Sequence, residues 1–125
     1  MEGQKIVLII EDEEDIRELY ADMLRDGGYG VVEAADGDEG LKAALNEPWD
    51  IMLLDIMIPQ LDGISLLRNV KNQEALKTKP ILLLTNLGSE DLIAEAFELG
   101  ADGYLIKAEI TPDNIMDEVA NFVGK

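Results

Sequence analysis

Short apolar runs alternate along the chain with segments of helical spacing. The three strongest runs are Ile6–Ile10, 51–54 and 81–84, each bounded by polar or turn residues and rich in branched side chains. Parallel strands that are buried on both faces lose the alternation of apolar and polar residues, so these runs predict the centre of a parallel sheet. Two weaker runs, Gly30–Ala34 and Gly103–Ile106, predict strands nearer its edges.

Between the runs, apolar residues recur at intervals of three and four, which gives a helix one apolar face. The two longest stripes are Ile16, Leu19, Tyr20, Met23 and Leu24, and, near the end of the chain, Ile115, Val119, Phe122 and Val123. Three shorter stripes are Leu41, Ala44 and Leu45; Ile64, Leu67 and Val70; and Leu92, Ala96, Phe97 and Leu99. The sequence therefore predicts five helices, one after each strand.

Turn and cap residues fall where these elements should end. Gly27 and Gly28 follow the first helix, and Gly100 follows the fourth. Ser89 is placed to cap the fourth helix, and Pro112 to open the fifth. Strict alternation of strands and helices implies right-handed crossovers, so we predict an α/β fold with a doubly wound parallel sheet.

Length and composition limit what this fold can be. A chain of 125 residues predicts one domain, residues 1–125, and no apolar run approaches the ~20 residues that span a bilayer. With 27 acidic and 10 basic residues the net charge is −17, so we expect neither nucleic acid nor a membrane as a partner. The polar opening residues show no signal peptide, and we expect a cytoplasmic protein.

The residues at the carboxyl ends of the strands are the candidate chemistry, because ligands of open parallel sheets bind there. They are Glu11, Asp12, Asp55, Thr85 and Lys107. Taken singly, each has an ordinary structural role as a helix-terminal charge, a turn cap or a solvated surface charge. Five polar groups of complementary type at successive strand ends are harder to explain in that way. We therefore take them as one site.

The chemistry of such a site follows from its donor set. Two carboxylates ~4 Å apart repel by about 4 kcal/mol at an effective dielectric near 20, so the cluster needs a cation or an abnormal pKa. The chain has no histidine and no cysteine, and an all-oxygen site suits Mg²⁺. Without those side chains or a phosphate-binding glycine loop, a carboxylate is the credible nucleophile, which points to phosphoryl transfer.

The sequence resembles the receiver domains of response regulators in two-component systems, over essentially its whole length. The matching stretches are VLIIEDEEDIRELY, AADGDEGL, DIMLLDIMIPQLDGISLL, PILLLT and ELGADGYLIK. The third is the most specific, since an apolar strand ending in Asp and followed by Met-x-Pro-x-x-Asp-Gly is hard to obtain from generic α/β packing. The resemblance implies a flavodoxin-like sheet of order 2-1-3-4-5 that resembles that of single-domain chemotaxis regulators.

The resemblance also implies a role for each site residue. Asp55 would be the phosphoacceptor. Mg²⁺ would be held by Glu11, Asp12, Asp55 and the backbone carbonyl of Met57, and of the adjacent acids Glu11 and Asp12 we expect Asp12 to contact the ion directly. The phosphoryl group would come from a sensor histidine kinase, a phosphotransfer protein or a small phosphodonor.

Further residues would link phosphorylation to a conformational change or shape the loop at the site. By the resemblance, Thr85 would bind a phosphoryl oxygen, Lys107 would pair with the phosphoryl group or Asp55, and Tyr104 would change its exposure when Thr85 moves inward. Pro59 and Gly63 would shape the loop after Asp55, Gly63 through a backbone conformation that is costly to other residues.

Two departures from the family pattern, and two apolar residues near the site, bear on these expectations. Ala108 stands where a proline is usual, which puts the cis peptide expected there in doubt. Asn86 stands where a smaller residue is usual, which narrows access for phosphodonors. Met57 and Leu87 are apolar at positions that influence the hydrolytic water, so we expect a long-lived phosphoryl group.

The family's usual output face is formed by the fourth helix, fifth strand and fifth helix, here roughly residues 89–124. An acidic face suggests a basic protein partner or weak self-association, so we expect a monomer or a weak homodimer. We expect no effector domain within these residues, and whether the chain acts alone or as a piece of a larger regulator is left open. The acidic residues of this face are Glu90, Asp91, Glu95, Glu98, Asp102, Glu109, Asp113, Asp117 and Glu118.

Two other functions remain open. A pseudo-receiver would keep the fold as a binding module without phosphorylation, with Asn86 and Ala108 in its favour. A Mg²⁺-dependent phosphatase of the haloacid-dehalogenase type would also use a strand-end aspartate, but Met57 leaves no acid two positions after Asp55 to protonate a leaving group. We expect no enzyme activity beyond self-phosphorylation and autodephosphorylation.

Overall fold

Five parallel strands form one sheet in the computed structural model, which describes residues 3–57, 62–86 and 90–123. The spatial order is β2-β1-β3-β4-β5, and all four neighbouring pairs are parallel. This confirms the predicted doubly wound, flavodoxin-like architecture. The strands are β1 (Ile6–Ile10), β2 (Gly30–Ala34), β3 (Ile51–Asp55), β4 (Ile81–Thr85) and β5 (Gly103–Ile106).

Five helices connect and follow these strands, as predicted. They are α1 (Glu14–Asp26), α2 (Gly37–Asn46), α3 (Gly63–Lys71), α4 (Glu90–Glu98) and α5 (Pro112–Val123). Side chains cap the amino ends of α2 and α3: the carboxylate of Asp36 accepts from the backbone N–H of Glu39, and that of Asp62 from the backbone N–H of Ser65, each at 2.8 Å. A short 3₁₀ turn, Lys107–Glu109, lies between β5 and α5 and was not predicted.

The two faces of the sheet build two apolar layers, because successive side chains of a strand point to opposite faces. One face, which includes Leu8, Met52 and Leu83, packs against α2, α3 and α4. The other, which includes Ile9, Leu53 and Leu82, packs against α1 and α5. The central strands are therefore covered on both sides, which explains why their sequence shows no alternation.

Four members of the predicted helical stripes are exposed, although the helices themselves lie where the stripes predict them. Their exposed fractions run from 40% for Phe97 to 53% for Leu19, with Leu45 and Phe122 between them. The sheet buries a narrower face of each helix than the apolar stripe suggests, and these four residues lie at the margin of that buried face. The ring of Phe97 instead meets that of Tyr104 edge to face, with centroids 6.3 Å apart.

The backbone explains the glycines in two different ways. Gly28 and Gly100 have φ of +98° and +111° after α1 and α4, as expected of glycines that end helices. Gly63 has no positive φ, so the predicted reason was wrong. A Cβ at Gly63 would lie 2.5 Å from the Cα of Ile56, and this close approach of backbone is what requires glycine.

Some expectations fall on residues outside the described ranges, namely Pro59 and Leu87 near the site and Ser89 as a helix cap. Within those ranges every peptide bond is trans, including that between Lys107 and Ala108. No helix in the described part of the chain is long and apolar enough to cross a membrane.

Charged side chains close the amino end of the sheet by binding backbone. One carboxylate oxygen of Asp50 accepts from the N–H of Ile6 at 2.8 Å, and one of Asp102 accepts from Ile81 at 2.9 Å. Each aspartate precedes one strand and binds the first residue of a neighbouring strand. Trp49, which precedes β3, is buried at this end.

Candidate functional site

Three carboxylates converge at the carboxyl end of the sheet. Glu11 and Asp12 follow β1, and Asp55 ends β3. One ligand oxygen from each lies within 4.8 Å of the others. Glu11 and Asp55 are buried, whereas Asp12 is exposed. The sequence prediction that these three residues form one acidic cluster is thus supported by the fold.

Strand order explains why they meet. β1 pairs with β3 in the middle of the sheet, while the chain runs outward from β1 to β2 and from β3 to β4. The loops that leave β1 and β3 therefore diverge and open a crevice between them, which is the usual ligand position in such sheets. The buried pair of carboxylates lies at this crevice.

Lys107 joins the two buried carboxylates. Its Nζ lies 2.8 Å from Oδ2 of Asp55 and 2.6 Å from Oε1 of Glu11. The remaining oxygens accept backbone N–H groups: Oδ1 of Asp55 from Met57 at 2.9 Å, and Oε2 of Glu11 from Glu13 at 3.0 Å. Three of the four oxygens therefore accept a hydrogen bond, whereas Oε1 of Glu11, which is buried, has only its ion pair with Lys107.

The electrostatics of the site follow from its burial. Burial raises the pKa of Glu11 from 4.5 to about 7, opposed by the contacts from Lys107 and Glu13 and reinforced by the charge of Asp55. Burial alone would lower the pKa of Lys107, but the hydrogen bonds to Asp55 and Glu11 outweigh it and raise that pKa. The ammonium is therefore held charged between the two acids.

A hard divalent cation fits these residues. Lys107 supplies one positive charge against the three carboxyl groups of the cluster, and every side-chain donor in the cluster is an oxygen. Burial raises the pKa of Glu11, the most deeply buried acid, so added positive charge at the site would favour its ionised form. Oxygen donors of this kind match Mg²⁺ better than softer metals.

Of the other predicted residues, Met57 contacts Asp55 through its backbone N–H, whereas the contacts described for Thr85 and Tyr104 do not include Asp55. Thr85, buried at the end of β4, donates its hydroxyl to the carbonyl of Asn86 at 3.1 Å. The side chain of Met57 is exposed, and Tyr104 on β5 is 46% exposed. The structure places all three near the same end of the sheet, and their predicted roles stay predictions.

One residue that touches the acidic loop was missed by the sequence analysis. Arg17, in α1, donates from Nη1 to the backbone carbonyl of Glu11 at 2.9 Å. A basic residue near the start of a helix that follows an acidic loop was the only sequence signal. It carried no information about which atom the guanidinium would bind.

The chain belongs to the response-regulator receiver domain family. The family model described as "Response regulator receiver domain" matches residues 7–120, which include every side chain of the site. The protein is therefore a receiver domain, as the sequence resemblance implied.

Particular relatives agree with this assignment. The chain is 41% identical over 103 residues to the alkaline phosphatase synthesis transcriptional regulatory protein PhoP of Bacillus subtilis, an alignment that covers 82% of this chain. The alignment covers 42% of that regulator, which is therefore much longer than the part that this chain matches.

Solved structures extend the likeness to the fold. A putative response regulator from Chloroflexus aurantiacus superposes with a TM-score of 0.90 at 32% identity, over 98% of this chain and 100% of that one. The receiver domain of the sensor histidine kinase PA1611 from Pseudomonas aeruginosa gives a TM-score of 0.88 at 27% identity, over 98% and 100%. That structure holds a magnesium ion coordinated in its active-site cleft.

Proposed function

We propose that this receiver domain takes a phosphoryl group on Asp55 in a Mg²⁺-dependent reaction and thereby switches a protein-binding face. The observation that carries the proposal is the buried Glu11–Lys107–Asp55 arrangement with Asp12 beside it. It combines a nucleophilic carboxylate, a fixed ammonium and an acidic cation site at one position.

In the proposed reaction a carboxylate oxygen of Asp55 attacks the phosphorus of the donor. The bond from phosphorus to the histidine nitrogen, or to the acetate oxygen of acetyl phosphate, breaks, and the leaving group keeps its electron pair. Lys107, already 2.8 Å from Asp55, stabilises the negative charge of the transferring group. The product is an acyl phosphate on Asp55.

The cation site would be formed by Glu11, Asp12, Asp55 and the backbone carbonyl of Met57. A bound Mg²⁺ would supply positive charge to the phosphoryl oxygens and help to orient the donor. Exposed Asp12 offers its carboxylate to solvent, so it is accessible to an entering hydrated ion. Glu11 is fully buried and is held by the backbone N–H of Glu13 and by Lys107. Its main contribution would be negative charge that favours a bound cation.

The switch would run from Thr85 to Tyr104. The Thr85 hydroxyl now binds the carbonyl of Asn86 and would exchange this partner for a phosphoryl oxygen. β4 and β5 are paired at Thr85 and Ile106, so a shift of Thr85 reaches the strand that carries Tyr104. Phosphorylation would then change the population of two arrangements of the Tyr104 and Phe97 rings.

Loss of the phosphoryl group should be slow. The exposed side chain of Met57 lies two positions after Asp55 and has no group that can orient a water by a strong hydrogen bond. Rapid spontaneous loss of the modification at neutral pH would contradict this expectation.

The proposed partners are a histidine kinase or phosphotransfer protein that supplies the phosphoryl group, and a downstream protein. The charge of α4 and α5 favours a basic downstream partner, since eight of the nine acidic residues predicted on this face are exposed and Glu118 is partly exposed. We propose no turnover of external substrates, only self-phosphorylation and autodephosphorylation. The expected cytoplasmic location stays a prediction.

The test is incubation with acetyl phosphate in the presence of MgCl₂ or of EDTA, followed by intact mass for the native chain and for Asp55→Asn. One Mg²⁺-dependent phosphoryl increment on the native chain, absent from Asp55→Asn, is the expected result. An increment that persists in Asp55→Asn would place the acceptor elsewhere.

Two further results would favour the alternative functions. If the native chain binds Mg²⁺ but gains no increment from acetyl phosphate or a panel of kinases, a pseudo-receiver replaces the proposal. If the native chain hydrolyses a small phosphomonoester such as p-nitrophenyl phosphate with turnover, the protein is a phosphatase instead.

A further inference from the structure

We propose that Arg17, held by Glu33, is a positioning residue that fixes the acidic loop in a shape ready for the cation. The inference rests on the proposed Mg²⁺ site and adds to it a pair of residues from α1 and β2. Neither residue belongs to the acidic cluster.

The guanidinium of Arg17 connects two elements. Nη1 donates to the backbone carbonyl of Glu11 at 2.9 Å, and Nε donates to Oε1 of Glu33 at 3.2 Å. The planar, forked guanidinium holds both partners in one geometry, which a single ammonium cannot do. The Arg17 side chain is only 15% exposed, so water competes weakly for these contacts.

The bond to the carbonyl of Glu11 matters because of which peptide it fixes. This carbonyl belongs to the peptide unit that joins Glu11 to Asp12, and a peptide unit is planar. Its orientation therefore restricts the directions in which the Cα–Cβ bonds of both acids can leave the backbone. Arg17 thus acts on the two carboxylates that follow β1 without touching either one.

β2 controls the preceding peptide as well. The N–H of Glu11 donates to the carbonyl of Ala34 at 3.1 Å, and Ala34 is the neighbour of Glu33. Two successive residues of β2 therefore fix the two peptide units on either side of the Glu11 Cα, one directly and one through Arg17. The loop that bears the acids is held in place before any cation arrives.

Arg25 provides a matched control within the same network. It is also on α1 and binds the same carboxylate, with Nη2 3.0 Å from Oε2 of Glu33. Its side chain is 46% exposed, and its described contacts are with Glu33 and Asp22, not with the acidic loop. Removing either arginine removes one positive charge and one ion pair to Glu33, but only Arg17 holds the Glu11 carbonyl.

The experiment compares the native chain with Arg17→Gln, Arg17→Lys and Arg25→Gln by ¹H–¹⁵N spectroscopy. Titration with MgCl₂ gives the affinity, and the water-exchange rate of the Glu13 amide, measured in EDTA, reports the loop without metal. That amide donates to Oε2 of Glu11, so its protection depends on where the Glu11 side chain lies. The same spectra show whether each variant is folded.

Arg17→Gln is expected to weaken Mg²⁺ binding about tenfold, as is usual when a group that orients a metal ligand is lost. The Glu13 amide should exchange faster in this variant. Arg25→Gln should leave both values unchanged. Arg17→Lys should bind Mg²⁺ more tightly than Arg17→Gln but more weakly than the native chain, because lysine restores the positive charge without the planar guanidinium that binds both partners.

Three results would overturn the inference. One is native Mg²⁺ affinity in Arg17→Gln, another is an equal loss in both glutamine variants, and the third is full recovery in Arg17→Lys. If the native chain binds no Mg²⁺, the proposed function fails instead. The exchange rate of the Glu13 amide then still decides whether Arg17 orders the loop, because it is measured without metal.

Discussion

The two ends of the sheet carry the same types of charged residue but use them differently. At the amino end, the carboxylates of Asp50 and Asp102 bind the backbone N–H groups of neighbouring strands, and Nζ of Lys79 binds the carbonyl of Trp49 at 2.7 Å. Each of these charges has a backbone partner close to it. This end of the sheet is closed by its own side chains.

At the carboxyl end, the charged side chains face one another. Nζ of Lys107 lies between Glu11 and Asp55, and Asp12 adds a third acid. Side-chain charges bound to backbone stabilise the fold without further partners, whereas mutually facing acids retain an excess of negative charge. The comparison teaches that charge alone does not mark a site, since charged side chains occur at both ends. Among the residues that the structure describes, the buried acids are Glu11 and Asp55, which face each other at the carboxyl end.

The largest expected contrast is between two aspartates at opposite ends of the same strand. Asp55→Asn should abolish phosphorylation by acetyl phosphate, because an amide is not a competent nucleophile for this reaction. Asp50→Asn should leave it intact, since the amide oxygen of asparagine can still accept from Ile6. Intact mass after a fixed time measures both.

The stability of the second variant completes this contrast. Asp50→Asn exchanges a charged acceptor for a neutral one, so we expect its free energy of unfolding in urea to fall by about 1 kcal/mol. Loss of phosphorylation in folded Asp50→Asn would show that the two ends of the strand are not independent.

The next contrast uses the two lysines. Lys107→Met leaves Glu11 and Asp55 facing each other, and breaking a buried pair in this way costs about 3 kcal/mol of unfolding free energy. Lys79→Met removes one hydrogen bond and the stacking of its ammonium on Trp49, 4.8 Å from the ring centroid, and should cost about 1 kcal/mol. Urea denaturation in EDTA measures both losses.

Adding Mg²⁺ separates the two variants further. The cation should recover part of the loss in Lys107→Met, because it replaces positive charge among the acids, and should recover none in Lys79→Met. Equal responses of the two variants to Mg²⁺ would contradict a cation site at the carboxyl end.

A smaller effect is expected from the titration of Glu11. Its pKa is about 7 in the folded chain and 4.5 as a free side chain, so the folded chain binds this proton more tightly than the unfolded chain. As pH rises from 4.5 to about 7 without metal, the contribution of Glu11 should therefore lower the free energy of unfolding.

The measurement is urea denaturation across this pH range for the native chain and for Glu11→Gln, both in EDTA. The difference isolates Glu11, since the other acids are common to both chains. The native chain should lose stability relative to the variant as pH rises, and parallel curves would show that the pKa of Glu11 is not raised.

The smallest expected effect is on the fluorescence of Trp49. It precedes β3 and is separated from Asp55 by roughly 20 Å of extended strand, so Mg²⁺ should not change its emission. Titration of the native chain with MgCl₂ tests this, with the ¹H–¹⁵N spectra as evidence that the metal has bound. A large change would mean that the cation acts on both ends of the sheet.

The sequence by itself determined the order of elements and the residues at the carboxyl end of the sheet. β1, β2 and β5 have the predicted bounds, and β3 and β4 each extend one residue further, to Asp55 and Thr85. Periodicity carries this information because burial on two faces or one leaves a local pattern. Glu11, Asp12 and Asp55 were predictable together because parallel strands all end on the same side of a sheet.

Only the tertiary structure decided what each of these residues touches. The family resemblance implied that Lys107 pairs with Asp55 or the phosphoryl group, but not that it also contacts Glu11, nor that Arg17 binds the carbonyl of Glu11. The reason predicted for Gly63 was wrong, and the apolar stripe of α1 did not show that the side chain of Leu19 is exposed. Contacts between residues distant along the chain depend on how elements pack, and no local pattern records that geometry.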